Sequence, residues 1–236
     1  MHAQPTPGPE QALQPAPAVS IIVPVYNEQE VIPSLFSGLA GLARELRAEI
    51  IVVDDGSEDA SPQLLQSCEG FVYVRIAHSG KSAALAAGLD RARAPVSVTI
   101  DADLQEDPSH IPELLTLLEQ GHDCAYGVRV LRQDSLWGKR LPSMVYNLLV
   151  FVLFGHNFRD VNCGLRAAPT QRLRSLEWNR GAHRLVPLLI LRQGGRVKGM
   201  PVRHRRRPAG RSKYTSFRRY PLSLRHLLCL RFAGHV

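Results

Sequence analysis

Three features are scarce in this 236-residue sequence: cysteine, long apolar runs, and acidic residues toward its C-terminal end. The four cysteines, Cys68, Cys124, Cys163 and Cys229, lie far apart and form no Cys-x-x-Cys pair. This pattern favours reduced thiols over disulfides or a structural zinc site. No apolar run reaches the roughly 18 residues that a membrane-spanning helix requires. The longest run, residues 144–155, predicts a buried or interfacial helix.

Charge is distributed unevenly along the chain, whose formal net charge is +8. Residues 1–177 hold all 21 acidic side chains, whereas residues 178–236 hold 15 basic ones and no acidic one. A segment of one sign predicts an anionic partner, such as nucleic acid, an anionic membrane surface or a phosphorylated substrate. No nucleic-acid recognition motif and no interleaved aromatic residues accompany this segment, which argues against nucleic acid.

Length and composition predict one folded domain between two short segments. A chain of this length with 44% hydrophobic residues can bury one substantial core, which is expected over residues 19–214. Residues 1–18 are rich in proline, alanine and glutamine and are predicted to be a disordered tail. Residues 215–236 interleave arginine with leucine, which predicts a basic amphipathic segment on an anionic membrane surface.

Strand and helix patterns alternate through the first half of the chain. Strands are predicted at residues 19–26, 49–57, 71–77 and 95–103. Helices are predicted from about residue 28 to residue 46, after residue 57, and over residues 80–93. This alternation, with continuous apolar strands, indicates a parallel sheet covered by helices on both faces. Because ligands bind beyond the carboxyl ends of such strands, polar residues at those ends are candidates for a site.

The segment TIDADLQEDP, residues 99–108, places two aspartates directly after an apolar run. If the strand continues through them, Asp101 and Asp103 point to the same face and their carboxylates repel each other. A hard divalent ion such as Mg²⁺ or Mn²⁺ would relieve this repulsion. A polar loop with an aspartate turn or helix cap explains the same residues without a metal.

Polar residues also follow the other three predicted strands. They are Tyr26-Asn27-Glu28, Asp54-Asp55-Gly56-Ser57 and Gly80-Lys81. Each group has an ordinary structural explanation, as a strand-end aromatic, a helix cap or a solvated lysine, and Gly80-Lys81 does not match the GxxxxGK[ST] phosphate loop. Their arrival at one edge of the predicted sheet favours a binding site.

These motifs, in this order, resemble glycosyltransferase family 2. VSIIVPVYNE, IIVVDDGSEDAS, GKSAALAAGLDRA and DADLQEDP are similar to its nucleotide-sugar domain, which has the GT-A fold. DADLQ resembles the dolichol-phosphate mannosyltransferase-like branch of polyprenyl-phosphate glycosyltransferases, as do YGVRVLRQDS, RDVNCGLRA and residues 183–214. Two departures stand out. Position 78 is histidine where relatives commonly have asparagine, and the membrane-spanning hairpins of many relatives have no counterpart in the sequence.

The resemblance implies an inverting, metal-dependent transferase that moves a hexose from a nucleotide sugar, of GDP-mannose or UDP-glucose type, to a polyprenyl or dolichyl phosphate. The residues that it implies for the donor are Pro24, Tyr26, Glu28, Asp55, Lys81 and Asp101. The residues that it implies for a Mg²⁺ or Mn²⁺ ion are Asp101, Asp103 and Gln105. A metal that bridges the donor diphosphate would make it a better leaving group.

The expected acceptor, a phosphate monoester, is largely ionised at pH 7 and needs placement by cations more than a base. The residues expected to place it are Arg129, Lys139, Arg140, Ser143, Arg211 and Lys213, although a solvated loop also explains Lys139 and Arg140. Asp103, Arg129 and Asp160 are the residues expected to act in catalysis. Asp160 either orients an arginine or caps a turn, or it serves as base in a family 2 transferase that acts on a sugar or protein hydroxyl.

The expected location is cytoplasmic and peripheral, on the cytoplasmic face of the membrane. A catalytically silent binding module would share the fold, yet the residues expected to carry the chemistry are all present. His183 and His204 are interpreted as surface or packing residues, because no pair of histidines has ligand spacing beside carboxylates.

Overall fold

The computed structural model describes residues 16–130, 141–156, 158, 160–179 and 181–204, with only the backbone described over residues 141–147. Within these ranges the chain forms one seven-stranded sheet with helices on both of its faces. The strands are β1 (Val19–Val25), β2 (Ala48–Asp54), β3 (Val72–Arg75), β4 (Val96–Thr99), β5 (Cys124–Val130), β6 (Arg166–Pro169) and β7 (Val197–Arg203). The helices are α1 (Ile32–Glu45), α2 (Ser61–Gln66), α3 (Lys81–Arg91), α4 (Ile111–Glu119), α5 (Leu141–Phe154), α6 (Thr170–Arg174) and α7 (Val186–Arg192).

The sheet has the strand order β3-β2-β1-β4-β6-β5-β7. All of its strands run in one direction except β6, which is antiparallel to both β4 and β5. The predicted α/β class with a mainly parallel sheet is therefore confirmed. The carboxyl ends of β1, β2, β4 and β5 share one edge, so the residues after these strands are brought together.

Burial on both faces explains why β1 is apolar almost throughout. Ile21 and Val23 pack into the cluster that contains Leu35 and Leu39 of α1, whereas Ile22 packs into a second cluster with Leu85 of α3. Burying an aliphatic side chain of this size stabilises the fold by about 1.5–3 kcal/mol. A strand covered on both sides thus needs apolar residues at successive positions, which is the pattern that the sequence shows.

Two element boundaries near the carboxyl edge differ from the predicted ones. The helix expected from about residue 28 begins at Ile32, because Asn27 has a positive φ of 52° and residues 28–31 form a turn. The strand expected to reach residue 103 ends at Thr99. There the Asp101 carbonyl accepts a hydrogen bond from the Leu104 N–H at 3.2 Å, and Leu104 has a φ of 46°. The prediction that the two aspartates project from one face of a strand is therefore wrong.

Helix α5 matches the longest apolar run of the sequence and presents part of it to solvent. Val150 is fully buried, whereas Leu148, Phe151 and Val152 have exposed fractions of 59%, 47% and 70%. Among the helices that the structure describes, none combines the length and the apolarity that crossing a membrane would need. The predicted flanking segments, residues 215–236 and most of residues 1–18, lie outside the described ranges.

Candidate functional site

An ion pair links the turn after β4 to the start of α3. Lys81, the first residue of α3, donates through Nζ to Oδ1 of Asp101. Burial acts to raise the pKa of Asp101, but the charge and hydrogen bond of Lys81, with further charge from Arg166 and Arg129, hold it below its ordinary value. Both side chains remain partly exposed, at 27% for Lys81 and 36% for Asp101. The pair is therefore accessible from the carboxyl edge.

Two more acids follow within the same turn. Asp103 is buried and accepts a hydrogen bond from the Gln105 N–H at 3.2 Å. Glu106 is 3% exposed, and burial together with the charges of Asp101 and Asp103 raises its pKa to about 7, although the charge of Arg129 opposes the shift. Three carboxyl groups thus share a small region of low solvent access. Such a region attracts cations.

Gly164 packs directly against the Asp101 carboxylate. A Cβ at position 164 would lie 2.6 Å from Asp101 Oδ1, a distance at which the carboxylate would have to move. The Gly164 carbonyl also accepts a hydrogen bond from the Thr99 hydroxyl at 2.8 Å. The backbone of residue 164 therefore sets the position of the carboxylate, and only glycine leaves enough room.

Arg129 lies near the carboxyl end of β5, where Asp160 holds its side chain. The guanidinium donates from Nε to Asp160 Oδ2 at 2.6 Å and from Nη2 to Oδ1 at 2.9 Å. Nη1 of Arg129 lies 3.8 Å from Glu106 Oε1. Burial acts to lower the pKa of Arg129, but its bonds and charge interaction with Asp160 raise it above the ordinary value. The guanidinium is thus a permanently charged group with a fixed orientation beside the acidic turn.

Asp55 organises the turn that precedes α3. Its carboxylate accepts hydrogen bonds from the Ser79 N–H at 2.8 Å and from the Gly80 N–H at 2.9 Å. His78 contacts the same carboxylate and stacks on Tyr26, with ring centroids 4.2 Å apart and planes inclined by 26°. The turn is thereby tied to the ends of both β1 and β2.

Asp54 and the residues after β1 have structural partners. The buried Asp54 carboxylate accepts hydrogen bonds from the Ser57 N–H at 2.8 Å and the Tyr73 hydroxyl at 3.0 Å. The backbone N–H of Glu28 donates to the Ser61 hydroxyl at 2.9 Å. Pro24, in β1, is partly exposed. The β2–α2 connection therefore holds residues 27 and 28 against the edge of the sheet.

The structure brings the predicted donor and metal residues to one edge, with Arg129 and Asp160 beside them. Four predicted acceptor residues, Lys139, Arg140, Arg211 and Lys213, lie outside the described ranges. Ser143 is in α5, in the stretch where only the backbone is described.

Sequence reasoning missed a buried network behind the ion pair. The Arg166 side chain is buried and donates to the carbonyls of Val161, at 3.1 Å, and of His183. His183 Nδ1 lies 2.9 Å from the hydroxyl of Ser82, the neighbour of Lys81. The sequence contains one indication of this network, which is the arginine in the otherwise apolar strand Arg166–Pro169. A charged side chain in a buried strand is rare unless it has polar partners. The interpretation of His183 as a surface or packing residue omits this hydrogen bond.

The oxygen ligands available at the turn fit a hard divalent ion. Asp101, Asp103 and Gln105 offer carboxylate and carbonyl oxygens, which Mg²⁺ and Mn²⁺ prefer. Burial, with the negative charges of Asp101 and Asp103, raises the pKa of the neighbouring Glu106. In the described ranges, no three side chains among histidine, cysteine, aspartate and glutamate form a metal cluster by themselves. Two carboxylates and an amide would leave coordination positions for oxygens of a ligand.

The sequence model described as "Glycosyl transferase family 2" matches residues 20–181 of this chain. The chain is 36% identical over 224 residues to the undecaprenyl-phosphate 4-deoxy-4-formamido-L-arabinose transferase of Pseudomonas savastanoi pv. phaseolicola. It is 35% identical over the same length to the transferase of this name from Pseudomonas aeruginosa. Both matches cover 92% of this chain but only 66% of the relative, so the chain spans just under two thirds of these proteins.

Solved structures share the architecture at lower sequence identity. The chain superposes on glucosyl-3-phosphoglycerate synthase of Mycobacterium tuberculosis, crystallised with Mn²⁺, UDP and glucosyl-3-phosphoglycerate, with a TM-score of 0.74 at 21% identity. The match covers 93% of this chain and 81% of the synthase. The complex of the same synthase with phosphoglyceric acid gives a TM-score of 0.72 at 20% identity. These likenesses establish the fold, and the expected GT-A fold is confirmed.

Proposed function

The chain belongs to glycosyl transferase family 2, and we propose that it transfers a sugar from a nucleotide-sugar donor to a polyprenyl phosphate, with inversion at the anomeric carbon. One observation carries this proposal. The acidic turn with Lys81 and the buried Arg129–Asp160 pair share one edge of the sheet, so groups suited to a diphosphate lie beside a fixed cation suited to a second phosphate. The relatives described above are named as undecaprenyl-phosphate transferases, which supports the same acceptor class.

At the donor end, the ends of β1 and β2 would receive the nucleoside. The residues at the end of β1 are Pro24, Tyr26 and Glu28. Asp55 would contribute indirectly, because its carboxylate holds the turn that precedes α3. Lys81 would contact the diphosphate, because its ammonium group lies at the exposed edge and would exchange part of its pairing with Asp101 for phosphate oxygens. The donor would thus lie across the carboxyl ends of the parallel strands, where such sheets bind their ligands.

We place a divalent ion, Mg²⁺ or Mn²⁺, at Asp101, Asp103 and Gln105. When bound, the ion would neutralise the diphosphate and so improve it as a leaving group. The protein's contribution is to hold the two carboxylates: Gly164 and Lys81 fix Asp101, and the turn fixes Asp103. The Mn²⁺ in the complex of the synthase above supports a divalent ion on this fold.

At the acceptor end, Arg129 would position the phosphate that attacks the sugar. Asp160 occupies its Nε and one side of Nη2. An incoming anion would bind the remaining hydrogens of the guanidinium in competition with Glu106, whose Oε1 lies 3.8 Å from Nη1. A phosphate monoester at pH 7 is already an anion, so the residue in contact with it has to orient it rather than remove a proton. Lys139, Arg140, Ser143, Arg211 and Lys213 complete the proposed acceptor set from the sequence.

The geometry weighs against the alternative in which Asp160 acts as base on a sugar or protein hydroxyl. Both carboxylate oxygens accept hydrogen bonds from Arg129, and the side chain is only 4% exposed. A general base must reach the proton that it removes, and a carboxylate held bidentately by an arginine in the interior is poorly placed to do so. The arrangement favours Asp160 as the group that orients Arg129.

The acceptor lipid requires that the site face a membrane surface. The exposed apolar side chains of α5, Leu148, Phe151 and Val152, are suited to contact with the interface of a bilayer. The basic residues after position 177 would add attraction to anionic lipid. We therefore propose peripheral attachment, on the cytoplasmic face as the sequence predicts.

A transfer assay with matched lipids tests the proposal. The protein is incubated with Mn²⁺ and a panel of labelled donors, comprising UDP-glucose, GDP-mannose and a UDP-linked 4-formamido-arabinose, because the resemblance favours a hexose and the relatives are named for the arabinose derivative. Undecaprenyl phosphate and undecaprenol are offered in separate reactions. We expect one donor to label the phosphate lipid alone. Labelling of the free alcohol, or of neither lipid with any donor, would overturn the proposal.

A further inference from the structure

His78 is held from three sides at the edge of the sheet. Its Nδ1 lies 3.0 Å from both the main-chain carbonyl and the Oδ2 of Asp55. Its ring stacks on Tyr26. A Cβ at Gly56 would lie 2.7 Å from the His78 backbone nitrogen, so the β2–α2 connection packs against it as well. The imidazole is therefore in a defined position although 55% of its side chain is exposed.

The contacts of Nδ1 determine which ring nitrogen carries the proton. Both neighbours of Nδ1 are oxygens of Asp55 that can only accept a hydrogen bond, so Nδ1 must donate. In the neutral ring Nε2 is then an acceptor, and it has no partner among the residues that the structure describes. The edge that carries Nε2 and one face of the ring are thus available to a ligand.

Asp55, by contrast, has its oxygens occupied. Oδ1 accepts from the backbone N–H groups of Ser79 and Gly80, and Oδ2 accepts from Gly80 and lies beside His78. A buried carboxylate with these contacts has little capacity left for a ligand. Any polar edge that meets this part of the site would meet the imidazole first.

We propose that His78 recognises the base of the nucleotide donor by accepting, at Nε2, a hydrogen bond from a base N–H that lies in the plane of the imidazole. This inference rests on the proposed function. It assigns base recognition to a residue for which the resemblance implies no role, and it makes Asp55 the residue that positions His78. Bases that present a ring N–H on their pairing edge, such as uracil at N3 or guanine at N1, fit the acceptor. The donor class is therefore a nucleoside diphosphate sugar with such a base.

Calorimetric titration of nucleoside diphosphates into the full chain, with Mn²⁺ present, tests the proposal without requiring transfer. UDP and GDP are compared with their N3-methyluridine and N1-methylguanosine analogues, which keep the rest of the nucleotide but have lost the N–H. We expect the preferred nucleotide to bind roughly tenfold more tightly than its methylated analogue, the size expected for one hydrogen bond in a partly desolvated site.

Two substitutions at position 78 separate recognition from folding. The amide of His78→Asn can still donate to Asp55 in place of Nδ1, but it ends short of the Nε2 position. We expect this variant to melt as the wild type does, to bind the preferred nucleotide roughly tenfold more weakly, and to lose the discrimination against the methylated analogue. The longer His78→Gln places an amide oxygen near the Nε2 position and should recover part of that discrimination.

His122→Asn is the matched control. His122 Nδ1 also contacts a backbone carbonyl, that of Leu117 at 3.0 Å, but the residue lies before β5 at the opposite edge of the sheet. Its substitution should leave nucleotide binding unchanged. If His78→Asn binds both the nucleotide and its methylated analogue as the wild type does, the role of His78 is overturned while the proposed function stands. If the wild type binds no nucleoside diphosphate, the proposed function fails, and this inference fails with it.

Discussion

At the scale of single residues, the contacts of each acidic side chain distinguish functions that the residue type alone does not. Asp101 contacts an accessible lysine and stays at the exposed edge, whereas Asp160 is buried in two hydrogen bonds with Arg129. Both are aspartates near the same edge of the sheet. One is thus suited to bind a ligand, and the other to orient a residue that does.

The contact between Gly164 and Asp101 predicts that only glycine is tolerated at position 164. Gly164→Ala should displace the Asp101 carboxylate, because its Cβ would lie 2.6 Å from Oδ1. A displacement of about 1 Å in such a site can lower the rate on the order of 10²-fold, and we expect a loss of that size in sugar transfer. Gly41→Ala is the control, since its Cβ would meet nothing within 4 Å. Wild-type transfer by Gly164→Ala would contradict the assigned position of Asp101.

Asp160→Asn distinguishes the two roles considered for Asp160. If the residue orients Arg129, the variant should raise the KM for the acceptor lipid and keep kcat within about tenfold of wild type. If it is a general base, kcat should fall by about 10²–10⁴-fold. Steady-state kinetics with varied acceptor measure both constants. Arg129→Lys, which keeps the charge but loses the paired hydrogen bonds to Asp160, should change KM in the same direction.

At the scale of elements, the sequence predicted the strands and helices better than it predicted their ends. The β1, β2 and β4 runs were recognisable because burial on both faces demands continuous apolar residues. The turn after Thr99 was not, because an Asp-x-Asp pair is equally compatible with an extended strand and with a turn. Only the backbone path, with Leu104 at a positive φ, decides between them.

The same distinction applies to the candidate site. Its acids and Lys81 were predictable, since they follow apolar strands and their order matches a family. The pairing of Arg129 with Asp160 joins residues 31 apart in sequence, and the stack of Tyr26 on His78 joins residues from different elements. Such contacts depend on how the sheet places the ends of β1, β3 and β5 beside one another. Spacing along the chain contains no signal for them.

The far edge of the sheet provides a stability prediction. Glu49 of β2 accepts hydrogen bonds from the Ser20 hydroxyl at 2.6 Å and from Arg93 Nε at 2.9 Å. Burial acts to raise the pKa of Glu49, but these hydrogen bonds and the charge of Arg93 lower it below its ordinary value. A carboxyl whose pKa is lowered by folding stabilises the fold above its ordinary pKa, and that contribution is lost as the pH falls through the folded value.

Glu49→Gln should therefore lower the free energy of unfolding at pH 7 by about 1–3 kcal/mol. The difference from wild type should shrink as the pH falls below the ordinary glutamate value of about 4.3. Chemical denaturation at several pH values measures it. Glu119→Gln, on the exposed end of α4, is the control and should change stability by less than about 0.5 kcal/mol. A difference for Glu49→Gln that persists unchanged at pH 3 would show that the charge of Glu49 is not the cause.

At the scale of the whole molecule, the proposed attachment to a membrane is supported by charge and apolar surface. The last quarter of the sequence holds 15 of the 29 basic residues and no acidic one, and α5 exposes apolar side chains that a protein surface usually covers. An anionic bilayer satisfies both features at once, because it attracts the arginines and accepts the apolar groups. The acceptor proposed for the site is held in such a bilayer.

Sedimentation with liposomes tests this attachment. We expect the protein to bind vesicles that contain anionic lipid more strongly than neutral ones, and to be released in large part by high salt. Truncation after Tyr214 should weaken binding through loss of charge, and Val152→Asp should weaken it through loss of apolar contact. Ala40→Asp, on the exposed face of α1, is the matched control. Equal binding to neutral and anionic vesicles, unaffected by salt, would exclude the mechanism.

The central claim is that the acidic turn with Lys81 is the site of the donor diphosphate, and Mn²⁺ binding tests it most directly. The electron paramagnetic resonance signal of free Mn²⁺ is followed while protein is added, with and without UDP or GDP. In the wild type we predict that the preferred nucleotide increases the bound fraction to one ion per chain. In Asp103→Asn this nucleotide-dependent ion should be lost, because one of the two carboxylates proposed to hold it has lost its charge. Nucleotide-dependent Mn²⁺ binding by Asp103→Asn equal to that of wild type would contradict the claim.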